Sequence, residues 1–366
     1  MLKTWKRPIA LLAALLMFVA ASCGDDDDSG ESSDTTAAPA ESSLGIDFAA
    51  LTGTANGTGA SFPDVYYQKV KSEFAEVATD ATINYTKSGS SAGKTDLANQ
   101  VVQFAGTDST VKDEDLPTFK GGEILYFPTV AAPITVSYNL PGVDEINLSA
   151  DTLAGIMQAE ITSWDDDAIK ADNPDADLPS TAIAVVHRSD GSGTTNNFTK
   201  FLVAAAPDVW KLKSGDTVNW PTSTQGAEKN SGVAAVIADT EGAVGYVDLA
   251  DAVSSDLQLA SIQNAAGEFV QPTLDAASAA LAGATIEPDL TYNPLNAEGA
   301  ESYPITAPTW IIVYKTQPDA ATAELLQGWI GYILTDGQDF AGGVGFAALP
   351  DELRDQAIEQ LDLIGG

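Results

Sequence analysis

Short runs of alternating or continuous apolar residues in this chain are repeatedly followed by apolar residues at helical spacing. ATINY at 81–85 alternates as a half-buried strand does, and in LANQVVQF at 97–104 the residues Leu97, Val101 and Val102 fall on helical spacing. IAVVH at 183–187 predicts another strand, and Phe198, Phe201, Leu202 and Ala205 after it follow i, i+3, i+4 and i+7. WIIVY at 310–314 predicts a third, followed by a helical face of Leu325, Leu326, Trp329, Ile330 and Ile333. Strands alternating with helices define an α/β class.

One pattern occurs twice. Phe127-Pro128-Thr129-Val130-Ala131-Ala132-Pro133 leads into ITVSY, and Tyr303-Pro304-Ile305-Thr306-Ala307-Pro308 leads into WIIVY. Taken as two crossings between a pair of lobes, the echo places residues 45–130 and 304–366 in a first, discontinuous lobe and 131–303 in a second. Coincidence of common residues is the other reading at this stage. The length of 366 residues suits roughly two domains at about 150 residues each.

The first 23 residues obey a different logic. Lys3, Lys6 and Arg7 precede an apolar run from Ile9 to Ala21, which is short for a bilayer span. Ala20, Ala21 and Ser22 then lead to Cys23. This is the layout of a secretory signal, residues 1–22. Small residues ending on a cysteine resemble a bacterial lipobox, which implies cleavage before Cys23 and acylation of its thiol with a fatty acid such as palmitate. GDDDDSGESSDTTAAPAESSL follows, without apolar periodicity and rich in one charge, so residues 23–44 read as a lipid anchor and acidic linker.

Charge and composition then exclude several functions. There are 52 acidic and 17 basic residues, a formal charge of −35; removing the leader takes away three basic residues and no acidic one, which makes it −38. Nucleic acid is excluded as a partner, because its backbone is bound by Lys and Arg clusters. A small anion is not excluded, since local donors govern a buried pocket. Cys23 is the single cysteine and His187 the single histidine, so an internal disulfide is impossible and metal sites and nucleophile–base pairs are hard to build. No cofactor or metal is expected.

Three Gly/Ser/Thr segments open predicted helices. They are Gly57-Thr58-Gly59-Ala60-Ser61-Phe62-Pro63, ahead of Tyr66, Val70, Phe74 and Val77; Ser88-Gly89-Ser90-Ser91-Ala92-Gly93; and Asp190-Gly191-Ser192-Gly193-Thr194-Thr195. A helix N-terminus presents free N–H groups and a partial positive charge, and so attracts anions. Each such segment is also an ordinary N-cap, but three in one chain, with Arg188 beside the third, point to an anion. Two enzyme motifs compete. Gly89-Ser90-Ser91-Ala92-Gly93 fits a nucleophile elbow with Ser91 at its centre, which would make a secreted serine hydrolase with His187 as the base. Gly93-Lys94-Thr95 ends like a P-loop, but that motif needs glycine where Ser88 stands.

Taken together, GTGASFP, GSSAGK, QFAGTDS, FPTV, WDDDAI, IAVVHRSDGSGTT, GAVGYVDLA and GFAALPDEL resemble the phosphate-binding protein of Pst-type ABC transporters over most of the chain after Gly45. The resemblance implies a periplasmic-binding-protein fold: two α/β lobes, two hinge crossings and a ligand cleft between them. It implies capture of inorganic phosphate at the outer face of the cell membrane and delivery to membrane-embedded ABC permease subunits by a monomer that is not an enzyme. Carried over by position, it puts Ser61, the N–H of Phe62, Ser90, Asp108, Arg188, Ser192, the N–H of Gly193 and Thr194 on phosphate, with Asp190 pairing the arginine. Ser61 stands where threonine is usual, Ala92 replaces a loop glycine, and His187 replaces a common arginine. Another tetrahedral oxyanion such as sulfate is the alternative ligand.

Overall fold

The computed structural model describes residues 44–366; the leader 1–22, Cys23 and the acidic stretch up to residue 43 lie outside the described residues. In chain order the elements are Gly53–Gly59 (β1), Asp64–Val77 (α1), Ala81–Thr86 (β2), Ser90–Ala98 (α2), Phe104–Thr107 (β3), Ile124–Tyr138 (β4), Asn147–Leu148 (β5), Ala150–Met157 (α3) and Asp167–Asp172 (α4). Ala184–Arg188 (β6), Gly193–Ala205 (α5), Gln225–Ala227 (β7), Lys229–Asp239 (α6), Ala243–Asp248 (β8) and Leu249–Ser254 (α7) follow. Gln258–Leu259 (β9), Ser261–Gln263 (β10), Phe269–Val270 (β11), Leu274–Leu281 (α8), Thr306–Tyr314 (β12), Ala320–Leu334 (α9), Gln338–Ala341 (α10) and Asp351–Gln360 (α11) complete the order.

One long strand joins two sheet systems. The main sheet runs β2-β1-β3-β12-β4-β8-β6-β7, with β9 also on β4. Residues 124–133 of β4 pair antiparallel with β12, and residues 134–138 pair antiparallel with β8. On one side β1 is parallel to β2 and β3; on the other β6 is parallel to β7 and β8. Parallel strands need helical crossovers, which cover the sheet on both faces. Accordingly every residue of β3, parallel to β1, and of β8, parallel to β6, is buried, and so is every residue of β12 between β3 and β4. The result is a two-lobed α/β fold in which each lobe has its own parallel core and β4 passes from one to the other.

The two proline-bracketed segments are antiparallel neighbours. Thr306 lies opposite Pro133 and Pro308 opposite Ala131. Ile134 donates its N–H to Ile305 at 2.8 Å, and the buried Tyr303 hydroxyl donates to the Ile134 carbonyl at 2.9 Å. Proline lacks a ladder donor and sits in sheets at edges or irregularities. Pro128 does so here: the β12–β4 register shifts between Thr309 and Trp310, where Trp310 faces Pro128 and Thr129 is the extra residue.

Most predicted elements are present with small shifts. The 183–187 strand begins at Ala184 and runs through Arg188. In α5, Phe198, Phe201 and Leu202 are buried, and Phe198 stacks on Tyr246 of β8 at 4.4 Å. In α1, Tyr66, Val70 and Phe74 are buried, Phe74 packing edge-on against Trp329 of α9, while Val77 is exposed. The helix expected around Leu97, Val101 and Val102 is corrected. It starts at Ser90 and ends at Ala98, because the chain turns at Gln100, with a φ of 59°, to enter β3. Val101 is left exposed. Gly57, Thr58 and Gly59, expected in a loop, instead end strand β1.

Candidate anion-binding site

The site is built from the ends of parallel strands. The turn after β1 carries Ser61 and Phe62. It is held by Ala60, whose N–H donates to Gly106 of β3 at 2.8 Å and whose carbonyl accepts from the Tyr85 hydroxyl at 2.7 Å. Phe62 is buried and packs edge-on against Phe346. The Ser61 hydroxyl is buried and has no hydrogen-bond partner among the described residues, a costly condition unless something else satisfies it. After β2, Gly89 occupies a φ of 99° open to glycine, and α2 starts at Ser90. Asp108 follows β3 directly. Its N–H donates to the Ser90 hydroxyl at 3.3 Å, and its carboxyl accepts from Thr309 at 2.8 Å.

The other lobe supplies Arg188 at the end of β6 and the start of α5. Ser192 is the N-cap of α5, its hydroxyl accepting from the Thr195 N–H at 3.2 Å, so its capping role is real. Gly193 and Thr194 form the first turn, where N–H groups lack intrahelical acceptors. Gly193 meets the opposite lobe closely: a Cβ there would lie 2.6 Å from the Ser90 hydroxyl and 2.7 Å from the Asp108 Cβ. Only glycine allows that approach. Asn197, one turn further, donates to the Asp108 carbonyl at 2.5 Å. The structure therefore brings Ser90, Asp108 and Gly193 together.

Arg188 is buried and braced from two sides. Nε and Nη2 donate to the two carboxyl oxygens of Asp190 at 2.7 and 2.6 Å, and Nη1 donates to Asn230 at 2.6 Å. Asn230 in turn donates to Thr194 at 3.3 Å and to Asp248 at 2.7 Å. Lys229 adds its N–H and its ammonium to Asp190, at 3.1 and 2.9 Å. Burial works against the Asp190 carboxylate, but Arg188 and Lys229 together hold it well below the usual range. Burial pushes the Asp108 carboxyl up to about 7, only partly opposed by the Thr309 hydrogen bond and the Arg188 charge. The site thus combines a fixed cation, two helix N-termini and one carboxyl poised near neutrality.

The competing motif residues go elsewhere. The Ser91 hydroxyl donates to Asp216 at 2.8 Å, and the Lys94 ammonium also reaches Asp216, at 2.9 Å. His187 stacks on Trp220 at 4.8 Å with its Nδ1 3.0 Å from the Arg188 carbonyl oxygen, and burial pushes its pKa down. Ser91 and His187 are not paired. Sequence reasoning missed Asn197, Asp216, Lys229, Asn230 and Thr309. None lies in a motif; Asn197 is one turn beyond the third segment in α5, and the other four reach the site from other parts of the chain.

Two α/β lobes joined by shared strands, with helix N-termini and a braced arginine meeting between them, define a binding protein of the periplasmic type, built for an anion. Residues 36–337 match the PBP superfamily domain. Phosphate-binding protein PstS of Pasteurella multocida is 35% identical over 306 residues, 82% of this chain and 87% of the relative. That of Methanocaldococcus jannaschii is 33% identical over 334 residues, 84% and 85% of the two chains. The chain belongs to the PBP superfamily and, within it, to the phosphate-binding protein PstS family. Solved structures share the fold. The phosphate-bound, high-affinity periplasmic phosphate-binding protein PfluDING aligns with a TM-score of 0.70 at 22% identity, covering 84% of this chain and 94% of that one. A phosphate-binding protein from Stenotrophomonas maltophilia aligns with a TM-score of 0.67 at 20% identity, covering 84% and 94%.

Proposed function

We propose that this protein captures inorganic phosphate outside the cytoplasmic membrane and delivers it to an ABC-type permease, and the observation that carries this reading is the partly committed guanidinium of Arg188. A guanidinium has five N–H donors. Asp190 and Asn230 take three of them and fix its plane, which leaves two for a ligand. A planar fork suits phosphate oxygens. Gly193 and Thr194 add first-turn N–H groups, Ser192 and Thr194 their hydroxyls, and the opposite lobe adds Ser61, the N–H of Phe62, Ser90 and Asp108. Asp190 orients the arginine rather than touching the ligand.

Phosphate enters between a lobe of residues 45–130 with 304–366 and a lobe of 131–303, which close over it about the crossings. The names of the relatives and the described site support phosphate as cargo. No helix among the described residues is long and apolar enough to cross a membrane, and the permease supplies the path. The leader exports the chain, lipid on Cys23 holds it at the outer face, and residues 23–44 space the monomer from the bilayer. The cargo leaves chemically unchanged. Calorimetric titration of the domain from residue 45 onward tests this with phosphate, sulfate and a simple ester. Tight, one-to-one phosphate binding is expected, with sulfate far weaker and the ester intact. Preference for sulfate or turnover of the ester would overturn it.

A further inference from the structure

Asp216 divides its carboxyl between the lobes. On its own side it is fixed from several directions. Its carbonyl accepts from the Ser192 N–H at 2.9 Å, its Oδ1 accepts from Asn196 at 2.9 Å, and the preceding Gly215 N–H donates to Thr199 at 3.3 Å. All three partners belong to α5 or its N-cap. Its other oxygen, Oδ2, faces the opposite lobe, where it accepts from the Ser91 hydroxyl at 2.8 Å and the Lys94 ammonium at 2.9 Å. Lys94 is itself positioned by Ser109, at 2.9 Å, in the turn after Asp108. Both ionic side chains are largely covered, at 17% and 15% exposure, so solvent screens the pair less than a surface ion pair.

We propose that Asp216, Ser91 and Lys94 form a latch that holds the lobes closed and so sets how slowly the anion leaves. This rests on the binding-protein reading above. The latch joins α2 to the N-cap of α5, the two helix starts that meet at the anion site, so closing it and aligning those helices are one event. It also explains two motif residues that anion binding leaves unused: Ser91 and Lys94 are neither nucleophile nor phosphate lysine, but the first-lobe half of the clasp. Contacts that exist only in the closed state multiply apparent affinity by raising the population of that state, and they act mainly on departure. Burial pushes the Asp216 carboxyl up, but Lys94 and the hydroxyl donors outweigh it and keep the group below its ordinary value, so the carboxylate of Asp216 stays ionised at neutral pH.

Stopped-flow measurement of phosphate release tests the latch. Asp216→Ala and Lys94→Met should each speed release about tenfold or more, with association changed less than about threefold. Because Asp216 also braces its own lobe, the double variant is decisive: it should release no faster than the faster single variant. Unchanged release in both single variants, or multiplied effects in the double, would overturn the latch. Small-angle scattering of ligand-free protein separates this from the cargo assignment. If the wild type fails to bind phosphate, the cargo assignment falls, while a larger radius of gyration in Asp216→Ala than in wild type still supports the latch and an equal radius overturns it.

Discussion

The Thr309 hydroxyl donates to Asp108 Oδ1 across 2.8 Å, and both side chains are buried. Thr309 occupies the irregular step in the β12–β4 pairing, so a bulge in one strand pair holds the Asp108 carboxyl. The other oxygen, Oδ2, receives no donor from the described residues. An ionised carboxylate can only accept. Phosphate near neutral pH carries a proton to give it; sulfate does not.

Asp108 is therefore expected to select against sulfate. Asp108→Ala should gain measurable sulfate binding while phosphate affinity changes less, and Asp108→Asn should do so more weakly. Direct pH dependence follows from a carboxyl that titrates at about 7. Below that pH it is protonated, loses its like charge and can donate to sulfate. Above it, the sulfate dissociation constant should rise by up to about tenfold per pH unit, the limit for uptake of one proton. Sulfate titrations from pH 5.5 to 8.5, a range chosen to bracket about 7, check this. A flat profile in the wild type would remove Asp108 as the gate.

Arg188→Ala should weaken phosphate binding by at least about tenfold, since a hydrogen bond to a charged group contributes about 1.5–3 kcal/mol. The fold should persist by circular dichroism, because Lys229 still satisfies both Asp190 oxygens. Arg188→Lys should recover little, because an ammonium does not reproduce the fork that Asp190 and Asn230 brace. Calorimetry on both variants decides it.

Asn230→Ala removes one acceptor and two donors at once, from Arg188, Thr194 and the buried Asp248. Burial, then the Asp251 charge, already pushes the Asp248 carboxyl well above its usual value. The variant should lose about 2–3 kcal/mol of stability in urea unfolding. Its phosphate affinity should fall less than in Arg188→Ala, since the arginine keeps Asp190.

Cys23→Ser should abolish lipid attachment. Metabolic labelling with a radioactive fatty acid is the measurement, and equal label in the variant would refute the anchor.

Much of the framework is legible in local pattern. The buried faces of α1, α5 and α9 and the strands β2, β6 and β12 follow from apolar spacing, because periodicity reports which side of an element meets the core. The glycine- and hydroxyl-rich segments are legible because helix starts favour those residue types, and Arg188 because it stands two residues before the third of them. The end of α2 is not, since Val101 has helical spacing yet the chain must turn at Gln100 to reach β3.

Partnership between distant polar groups depended on packing. Asn230 reaches Arg188 from 42 residues away, Lys94 reaches Asp216 from 122, and Thr309 reaches Asp108 from 201. No periodicity encodes such a pair, because a hydrogen bond requires atoms about 3 Å apart; the pairing of β6 with β7 brings Asn230 to Arg188 and that of β12 with β3 brings Thr309 to Asp108, while Lys94 and Asp216 meet across the two lobes. The residue types suited to an anion were written along the chain; the bracing of Arg188 and the neutral-range carboxyl of Asp108 arose from packing within each lobe, and the contact of Asp216 with Lys94 only where the two lobes met.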